Sequence, residues 1–472
     1  MAKVMLIDPP PVKGNRMGRI LGSIGSNKAG QAWPPYDLQV LAGYCRLQGH
    51  EYRILDANNL ELSCEETGRQ IAAYAPDWVV YMTTFPTFED DALVAAAAKK
   101  AGSGILTACI SLSIGSLRDP ELRLKQASGL DYLVWGEPEL PLMKLFDGEK
   151  PESVKGLYYK SKDGIKFTGE SDKPENLDML GVPEHSGLPI NIYKCPVSMR
   201  HPMTIVNCSR GCSNTCVHCL SIFQKPLRYR SVENVVKELE HIKSLGIREI
   251  KFYDCSLPTN REFTLELCRE MTGRKYGFSW NCNARAETLD EELLKAMKKS
   301  GCHTVAVGCE SSDAGILKNM NKNETPEQIE RAVRLIKASG MRVLVYLTFG
   351  LEGETKQTMK DTYRFVKKLR PEFVTFGIVV PTPGTRLYGS LSRQGYLTDN
   401  ERIFKDPNAL PSFSYPGLSD REILSFTRKA YLNYYFSVGY ILRTLAAVRS
   451  PRGFKNLAGT ALSLVWRYIF GK

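Results

Sequence analysis

Apolar runs alternate with amphipathic segments along the first 148 residues. Two segments have clear helical spacing, Leu38–Leu47 and the Ala-rich Phe88–Ala101. Five short runs between such segments are strand-like: Val4–Ile7, Tyr52–Leu55, Asp77–Met82, Gly104–Ile110 and Tyr132–Trp135. This alternation predicts an α/β fold, in which a doubly wound, Rossmann-like domain carries helices on both faces of a parallel sheet.

Ligands of such sheets lie beyond the carboxyl ends of the strands. Three turns follow strand-like runs and would meet at that edge: Asp8–Pro10, Thr83–Thr87 and Gly136–Glu139. We therefore expect any ligand of this domain to contact these turns.

The pattern changes between residues 149 and 200. Asp163-Gly164 lies between two strand-like runs and predicts a β-hairpin. A linker bearing Pro, Gly and Asn follows as far as about residue 200. We interpret 149–200 as the hairpin and linker that separate two domains, 1–148 and 201–390.

A second alternating series occupies residues 201–390. Six strands are predicted: Thr204–Val206, Glu249–Tyr253, Phe278–Ala284, Thr304–Gly308, Arg342–Phe349 and Phe373–Val380. Helices are predicted between them, near 232–245, 260–272, 290–299, 325–339 and 355–369. Six parallel strands with intervening helices make a partial (β/α)6 barrel. By analogy with the complete barrel, its chemistry belongs at the carboxyl ends of the strands.

Composition excludes several classes of protein. Hydrophobic residues make up 43% and charged residues 24%, as in globular proteins and unlike disordered chains. The sequence shows neither a secretory signal nor the roughly 18 uninterrupted apolar residues of a spanning helix. We therefore expect a cytoplasmic protein whose 13 cysteines are not paired as disulfides.

The net charge of +12 is concentrated near the C-terminus. After Glu422 there is no acidic residue, and the basic ones are Arg428, Lys429, Arg443, Arg449, Arg452, Lys455, Arg467 and Lys472. Residues 391–472 are predicted to be mainly helical, with aromatic and apolar stretches at Tyr431–Phe436, Tyr440–Leu445 and Leu457–Phe470. This pattern suits contact with an anionic membrane surface, or equally a helix packed on the barrel. The sequence contains no RNA-binding module, which argues against nucleic acid.

A dense group of cysteines follows the first predicted barrel strand. Cys212, Cys216 and Cys219 have Cys-x3-Cys-x2-Cys spacing and would supply three thiolates from one short loop. Soft thiolates suit iron–sulfur clusters and zinc. A [4Fe–4S] cluster held by three cysteines keeps one iron open. Cys208 and His218 could complete a zinc site instead, but structural zinc sites commonly use two CxxC-like pairs and no second pair exists here.

Further motifs follow in order along the chain. They are Ser209–Cys212, Tyr229–Val236, Phe252–Asp254, Asn283–Arg285, Gly308–Ser312, Phe349–Thr355 and Pro381–Tyr388. With this ordered set, roughly residues 1–400 resemble radical S-adenosylmethionine (SAM) proteins that carry a cobalamin-binding domain. That group includes anaerobic magnesium-protoporphyrin ester cyclase, class B radical SAM methyltransferases and hopanoid-modifying enzymes.

The resemblance implies a role for each site residue. Cys212, Cys216 and Cys219 would ligate a [4Fe–4S] cluster, and His218 would lie near the adenine of SAM. The end of the second barrel strand, Tyr253 and Asp254, would meet the methionine amino group. Arg285 and Glu310 would hold the methionine carboxylate and the ribose hydroxyls, although each is also compatible with an ordinary solvated charge at a strand end.

Cobalamin is the third cofactor that the resemblance implies. The first domain ends in the related segment Trp135–Glu139 but lacks an Asp-x-His-x-x-Gly motif, so no histidine would bind below cobalt. Relatives often carry Gly-x-His after the fourth strand, where this chain reads Thr107–Gly115 without histidine. The alternative is a domain retained as a scaffold or a substrate lid.

The resemblance implies an enzyme that cleaves SAM to a 5′-deoxyadenosyl radical and modifies an unactivated carbon. The reaction would be cobalamin-dependent methylation, cyclisation or another bond formation on a hydrophobic small molecule, such as a lipid, isoprenoid or tetrapyrrole. Flavodoxin or ferredoxin would serve as reductant. Two other hypotheses are a non-catalytic iron–sulfur or corrinoid sensor and a tRNA-modifying enzyme. The second is weakened because Cys45, Cys64 and Cys109 lack the spacing of a second cluster.

Overall fold

The computed structural model describes residues 1–20, 23–26, 31–398 and 409–447. Its strands are β1 Lys3–Asp8, β2 Met17–Ile20, β3 Ser23–Ser26, β4 Glu51–Asp56, β5 Trp78–Met82, β6 Leu106–Ile110, β7 Tyr132–Val134, β8 Leu157–Ser161, β9 Gly164–Phe167, β10 Met203–Val206, β11 Ser209–Arg210, β12 Arg228–Tyr229, β13 Glu249–Phe252, β14 Ser279–Ala284, β15 Cys302–Glu310, β16 Arg342–Phe349 and β17 Phe373–Ile378. Its α-helices are α1 Tyr36–Leu47, α2 Cys64–Tyr74, α3 Phe88–Asp91, α4 Leu93–Ala101, α5 Pro120–Gln126, α6 Glu139–Phe146, α7 Val232–Ser244, α8 Arg261–Gly273, α9 Glu291–Lys299, α10 Ala314–Asn319, α11 Pro326–Ala338, α12 Lys356–Leu369, α13 Arg386–Arg393, α14 Asp420–Tyr435 and α15 Val438–Ala447.

The first sheet has the strand order β4-β1-β5-β6-β7-β8-β9. Its first five strands are parallel, and the order reverses between β1 and β5. This is the doubly wound α/β arrangement that the sequence predicts. The predicted hairpin is present as β8–β9, and it pairs antiparallel with β7, so it extends this sheet.

The prediction of one continuous helix over Phe88–Ala101 is wrong, because the structure has α3 and α4 with a break at Ala92. Asp91, the last residue of α3, is buried and accepts hydrogen bonds from Arg19 at 2.7 Å and from Thr83 at 3.0 Å. These contacts fix Asp91 directly before the break, while Ala92 itself keeps helical dihedral angles.

The Arg19 guanidinium fills the crevice at the switch point of this sheet. It contacts Asp8 at 3.0 Å and Asp91 at 2.7 Å, with almost no exposed side chain. The pKa of Asp8 is raised to about 8, because the effect of burial is larger than the opposing effect of the Arg19 charge. The crevice in which doubly wound folds commonly bind ligands is thus occupied by a side chain from β2.

The second sheet contains six parallel strands in the order β10-β13-β14-β15-β16-β17 and forms the predicted partial barrel. Side chains that accept a backbone N–H cap the following helices and fix where each begins. These caps are Ser231, Asn260, Asp290, Thr325 and Thr355. The fourth barrel strand, β15, is longer than predicted and extends to Glu310.

Two segments complete the incomplete barrel. Val197 of the linker packs inside it against Ala306 and Leu344, and the Val197 carbonyl accepts a 2.7 Å hydrogen bond from Arg342. Helix α14 covers the edge strand β17, where the Tyr435 hydroxyl both donates to and accepts from the backbone of Val374. Part of the C-terminal region therefore packs on the barrel, and Leu457–Phe470 lies outside the described residues. Among the described helices, none has the length and apolar character to cross a bilayer.

Candidate active site

The cysteine loop is closed at its base by a two-stranded ribbon. Strand β11 pairs with β12, so residues 211–227 leave and return at the same point. Gly211 has a φ of +94°, and a Cβ there would lie 2.6 Å from the Gln224 carbonyl oxygen and 2.7 Å from that of Pro226. Only glycine fits this position, one residue before the first cysteine of the motif.

Cys212, Cys216 and Cys219 are partly exposed on the wall of a cavity of about 610 Å³ at the carboxyl ends of the barrel strands. A hydrogen bond with the Cys255 thiol lowers the pKa of Cys212 to about 5 against the effect of burial, and the N–H groups of Asn214 assist. Burial raises the pKa of Cys216. Three thiols in one loop, facing a shared space, form a donor set that suits an iron–sulfur cluster.

Cys208 is buried and does not line this cavity. Its backbone N–H donates to the Asp254 carboxylate at 3.0 Å, and the Ser209 hydroxyl donates to the same carboxylate at 2.5 Å. Asp254 is 2% exposed, and burial raises its pKa. It therefore positions the chain that enters the cysteine loop, in addition to lining the cavity.

Charged side chains from the ends of β14 and β15 and from the segment after α10 also line the cavity. Glu310 accepts a 2.6 Å hydrogen bond from the Thr348 hydroxyl. The Lys322 ammonium lies 3.9 Å from Glu310 and 2.9 Å from Glu324. Arg285 lies 3.6 Å from Glu324 and donates to the Lys322 carbonyl. Two cations beside a carboxylate match the carboxylate and hydroxyl groups of a zwitterionic amino acid joined to a sugar.

His218 and Tyr253 also line the cavity. The buried Nδ1 of His218 has no hydrogen-bond partner, and burial lowers the pKa of the ring. An unsatisfied buried nitrogen facing a cavity indicates a polar group to be bound there. The ring of Tyr253 lies 5.6 Å from that of Trp33, which belongs to the N-terminal domain.

Buried ion pairs tie the N-terminal domain to the base of the cysteine loop. Arg210 donates to Glu137 at 2.8 Å and to Glu139 at 2.7 Å, and Arg228 also pairs with Glu137. Burial raises the pKa of Glu137, but the charges and hydrogen bonds of these two arginines outweigh this effect and hold the pKa below its ordinary value. Both carboxylates belong to the turn that follows β7, which the sequence places at the ligand edge of the first sheet.

The N-terminal domain supplies the remaining wall, which is mainly apolar. Its lining residues are Ile20, Tyr36, Asp37, Val40 and Leu112, and the linker adds Leu177, Leu180 and Pro183. The loop after β6 packs against the cysteine loop of the barrel. Gly115 is so close to the ring of Phe223 that a Cβ added at this glycine would lie 2.7 Å from the ring. Burial raises the pKa of Asp37 to about 7, while nearby Arg210 lowers it. The cavity is thus shared by both domains.

The structure brings all eight predicted site residues to this cavity. The sequence did not reveal Lys322, Cys255 or Asp37. Lys322 follows α10, at some distance from the strand ends. Cys255 comes directly after Asp254 at the end of a barrel strand, and this position is the signal that could have identified it as a site residue. Asp37 is the second residue of α1 and belongs to no motif.

An incomplete parallel barrel with three cysteines at its carboxyl-end mouth defines the class of radical SAM enzymes. The family model described as the radical SAM superfamily matches residues 206–366. An uncharacterized methyltransferase of Pyrococcus horikoshii is 30% identical over 453 residues, with 94% of each chain covered. The chain belongs to the radical SAM superfamily and is an enzyme of that family.

Two further similarities extend this result. The anaerobic magnesium-protoporphyrin IX monomethyl ester cyclase of Rubrivivax gelatinosus is 28% identical, over 88% of this chain and 77% of the cyclase. The cobalamin-dependent SAM radical enzyme OxsB, solved with aqua-cobalamin and SAM, superposes with a TM-score of 0.73 at 15% identity, covering 98% of this chain and 72% of OxsB. The fold is therefore similar to that of OxsB over nearly the whole chain. The cofactors of the radical SAM superfamily are a [4Fe–4S] cluster and SAM.

Proposed function

We propose that the chain is a cytoplasmic cobalamin-dependent radical SAM methyltransferase acting on a carbon atom of a hydrophobic small molecule. The observation that carries this proposal is the shared cavity, with three thiols on the barrel side and an apolar wall on the N-terminal side. Cys212, Cys216 and Cys219 would hold the cluster. When bound, the cluster and SAM supply a 5′-deoxyadenosyl radical, and cobalamin supplies a methyl group.

The residues of this chain would place SAM between two charged sets. Arg285 and Lys322 would bind the methionine carboxylate, and Glu310 the ribose hydroxyls. Tyr253 and Asp254 would meet the amino group, and His218 would lie against the adenine. This assignment is supported by their convergence on one cavity from separate segments of the barrel domain.

Cobalamin would lie against the N-terminal wall, where Ile20, Val40 and Leu112 offer apolar surface to a large ring. No histidine is among the residues that line that wall in the described part of the chain, which fits a corrinoid without a protein ligand below cobalt. The linker residues Leu177, Leu180 and Pro183 add further apolar lining, which supports a hydrophobic substrate such as a lipid, isoprenoid or tetrapyrrole.

The proposal includes two partners. A flavodoxin or ferredoxin would supply electrons, and the basic C-terminal region would contact a membrane surface. Oxidative cyclisation is the second candidate reaction, favoured by the similarity to the cyclase over most of this chain.

Anaerobic reconstitution tests the proposal. The protein, produced with cobalamin and reduced with dithionite, should show an iron–sulfur and corrinoid absorption spectrum and should form 5′-deoxyadenosine from SAM. Cys216→Ala should abolish that product, while Cys64→Ala, which changes a cysteine away from the cavity, should retain it.

The products formed with substrate separate the alternatives. S-adenosylhomocysteine indicates methyl transfer, and 5′-deoxyadenosine without it indicates cyclisation or another radical reaction. A cluster that forms but never cleaves SAM would support the non-catalytic sensor, and zinc at the loop would refute both.

A further inference from the structure

Helix α15 carries an apolar face whose side chains are exposed in the described part of the chain. Val438, Ile441, Leu442 and Leu445 are spaced i, i+3, i+4 and i+7 and therefore share one side of the helix. They are 73%, 39%, 61% and 43% exposed. We call these four side chains the α15 stripe. Soluble surfaces rarely carry such a continuous aliphatic row, which marks an interaction site.

The α15 stripe lies at the end of the barrel opposite the cavity. The Tyr440 hydroxyl of α15 donates to the Glu372 carbonyl at 3.0 Å, directly before β17 begins. The other end of β17 leads to Ile378 and Val379, which line the cavity. A strand of six residues separates the two ends by about 20 Å.

Exposed cations surround the starts of the barrel strands at this same end. This basal face consists of Arg200, Lys243, Arg248, Lys298, Lys299 and Arg370. Cations at helix C-termini complement the helix dipole, which accounts for Lys243, Lys298 and Lys299. Arg200 and Arg248 lie outside helices and, together with Lys243, line a surface hollow that has no acidic residue in its lining.

The stripe meets the basal face at Arg370. The Lys337 ammonium donates to the Arg370 carbonyl at 2.7 Å, and Tyr440 of α15 binds the carbonyl of Glu372, two residues further along the chain. Acidic side chains at this end have partners: Glu240 and Glu270 pair with Arg274, and the Glu372 carboxylate accepts a 2.8 Å hydrogen bond from the Val343 N–H. The sequence beyond α15 continues with Arg449, Arg452 and Lys455 and has no acidic residue.

We propose that the α15 stripe and the basal face together form a docking surface for an anionic lipid bilayer. An aliphatic row flanked by cations matches acyl chains beside acidic headgroups. A nucleic acid would leave the four aliphatic side chains without a partner, and a second copy of the chain would bring like charges together. Membrane contact is part of the proposed function, and this surface gives it a location away from the cavity.

Vesicle flotation with the full chain tests the surface. Wild-type protein should float with vesicles of phosphatidylcholine and phosphatidylglycerol and should remain unbound with phosphatidylcholine alone. High salt should weaken binding because it screens the headgroup charge. The Ile441→Asp/Leu442→Asp variant should lose at least about tenfold in affinity, and Lys243→Glu/Arg248→Glu should lose more than about tenfold.

Leu122→Asp is the matched control, because Leu122 is an exposed leucine on α5 of the N-terminal domain and should leave flotation unchanged. The surface is refuted if wild-type protein ignores the anionic vesicles, if the stripe variant floats as wild type does, or if light scattering shows a dimer that the stripe variant dissociates. Formation of 5′-deoxyadenosine by the same proteins reports on the proposed function separately. A loss of flotation with SAM cleavage retained therefore identifies docking alone.

Discussion

Arg210 donates a 2.7 Å hydrogen bond to Glu139, and this buried pair joins the barrel to the N-terminal domain two residues before Cys212. The arginine belongs to the ribbon that closes the cysteine loop, and the carboxylate begins α6. The position of the loop therefore depends on a contact between domains as well as on the barrel. This relationship and others in the structure lead to four predictions.

Glu139→Gln should destabilise the protein by about 3 kcal/mol, since removing one partner of a buried pair leaves the other charge poorly compensated. It should also lower the iron content after reconstitution, because the loop base loses its fixed position. Thermal unfolding and iron analysis measure the two effects. Glu65→Gln, which breaks the exposed pair with Arg69, should change stability by less than about 1 kcal/mol. Equal effects of the two variants would contradict the role of the buried pair.

Gly211→Ala should reduce iron content and stability more than Gly148→Ala does. Both glycines have positive φ, at +94° and +87°, so each alanine incurs a backbone cost of about 1 kcal/mol. A Cβ at Gly211 also overlaps two carbonyl oxygens, whereas one at Gly148 meets nothing within 4 Å. Iron content per chain and the thermal unfolding temperature of the two variants test the difference. Equal losses of iron and stability in both variants would show that the loop shifts to accommodate the added Cβ at Gly211.

Lys322→Met should weaken SAM binding about tenfold, as the cavity loses a cation next to Glu310 that the proposed function assigns to the methionine carboxylate. Cluster content should be retained. Anaerobic equilibrium dialysis with labelled SAM measures the affinity, and Lys318→Met, an exposed lysine on α10, is the control. An unchanged dissociation constant would show that Lys322 does not bind SAM and serves only as the ion-pair partner of Glu324.

Asp37→Asn should stabilise the protein more at alkaline than at acidic pH. Burial raises the pKa of Asp37 from 3.8 to about 7, so the folded chain holds this proton more tightly than the unfolded chain. Wild-type stability should therefore fall as the pH rises from about 4 to 7, by at most about 4 kcal/mol from this group. The asparagine variant lacks this loss, and the gap in melting temperature should widen between pH 5 and pH 8. Asp163→Asn, on the exposed hairpin, should show no such trend.

The sequence predicted what local spacing determines. The strand and helix alternation gave both sheets, and the cysteine spacing placed three thiols in one loop, because these patterns depend on near neighbours along the chain. The break between α3 and α4 was not predicted; it follows Asp91, whose partner Arg19 is 72 residues away along the chain and so leaves no local signal. Lys322 enters the cavity only once Glu310 and Glu324 are in place around it.

Asp254 shows a different limit. The resemblance to cobalamin-binding radical SAM proteins implied a cofactor contact for this residue, and the structure places it on the cavity wall. Its carboxylate is also bound by the Cys208 backbone and the Ser209 hydroxyl, which a motif cannot indicate. The sequence therefore indicated that Asp254 lies at the site. Only the folded structure shows that its carboxylate oxygens also bind the backbone and side chain that lead into the cysteine loop.

Val197 gives the linker a part in the interior of the molecule. Because this side chain fills the space between Ala306 and Leu344, the barrel's packing includes a segment from outside its own repeating units. A fragment that starts at β10 would lack Val197 and would leave a cavity beside Ala306 and Leu344. A chimera that exchanges N-terminal domains between relatives would therefore have to keep residues 190–200 with the barrel. The packing unit of the barrel therefore extends beyond residues 206–366, the segment that the family model matches.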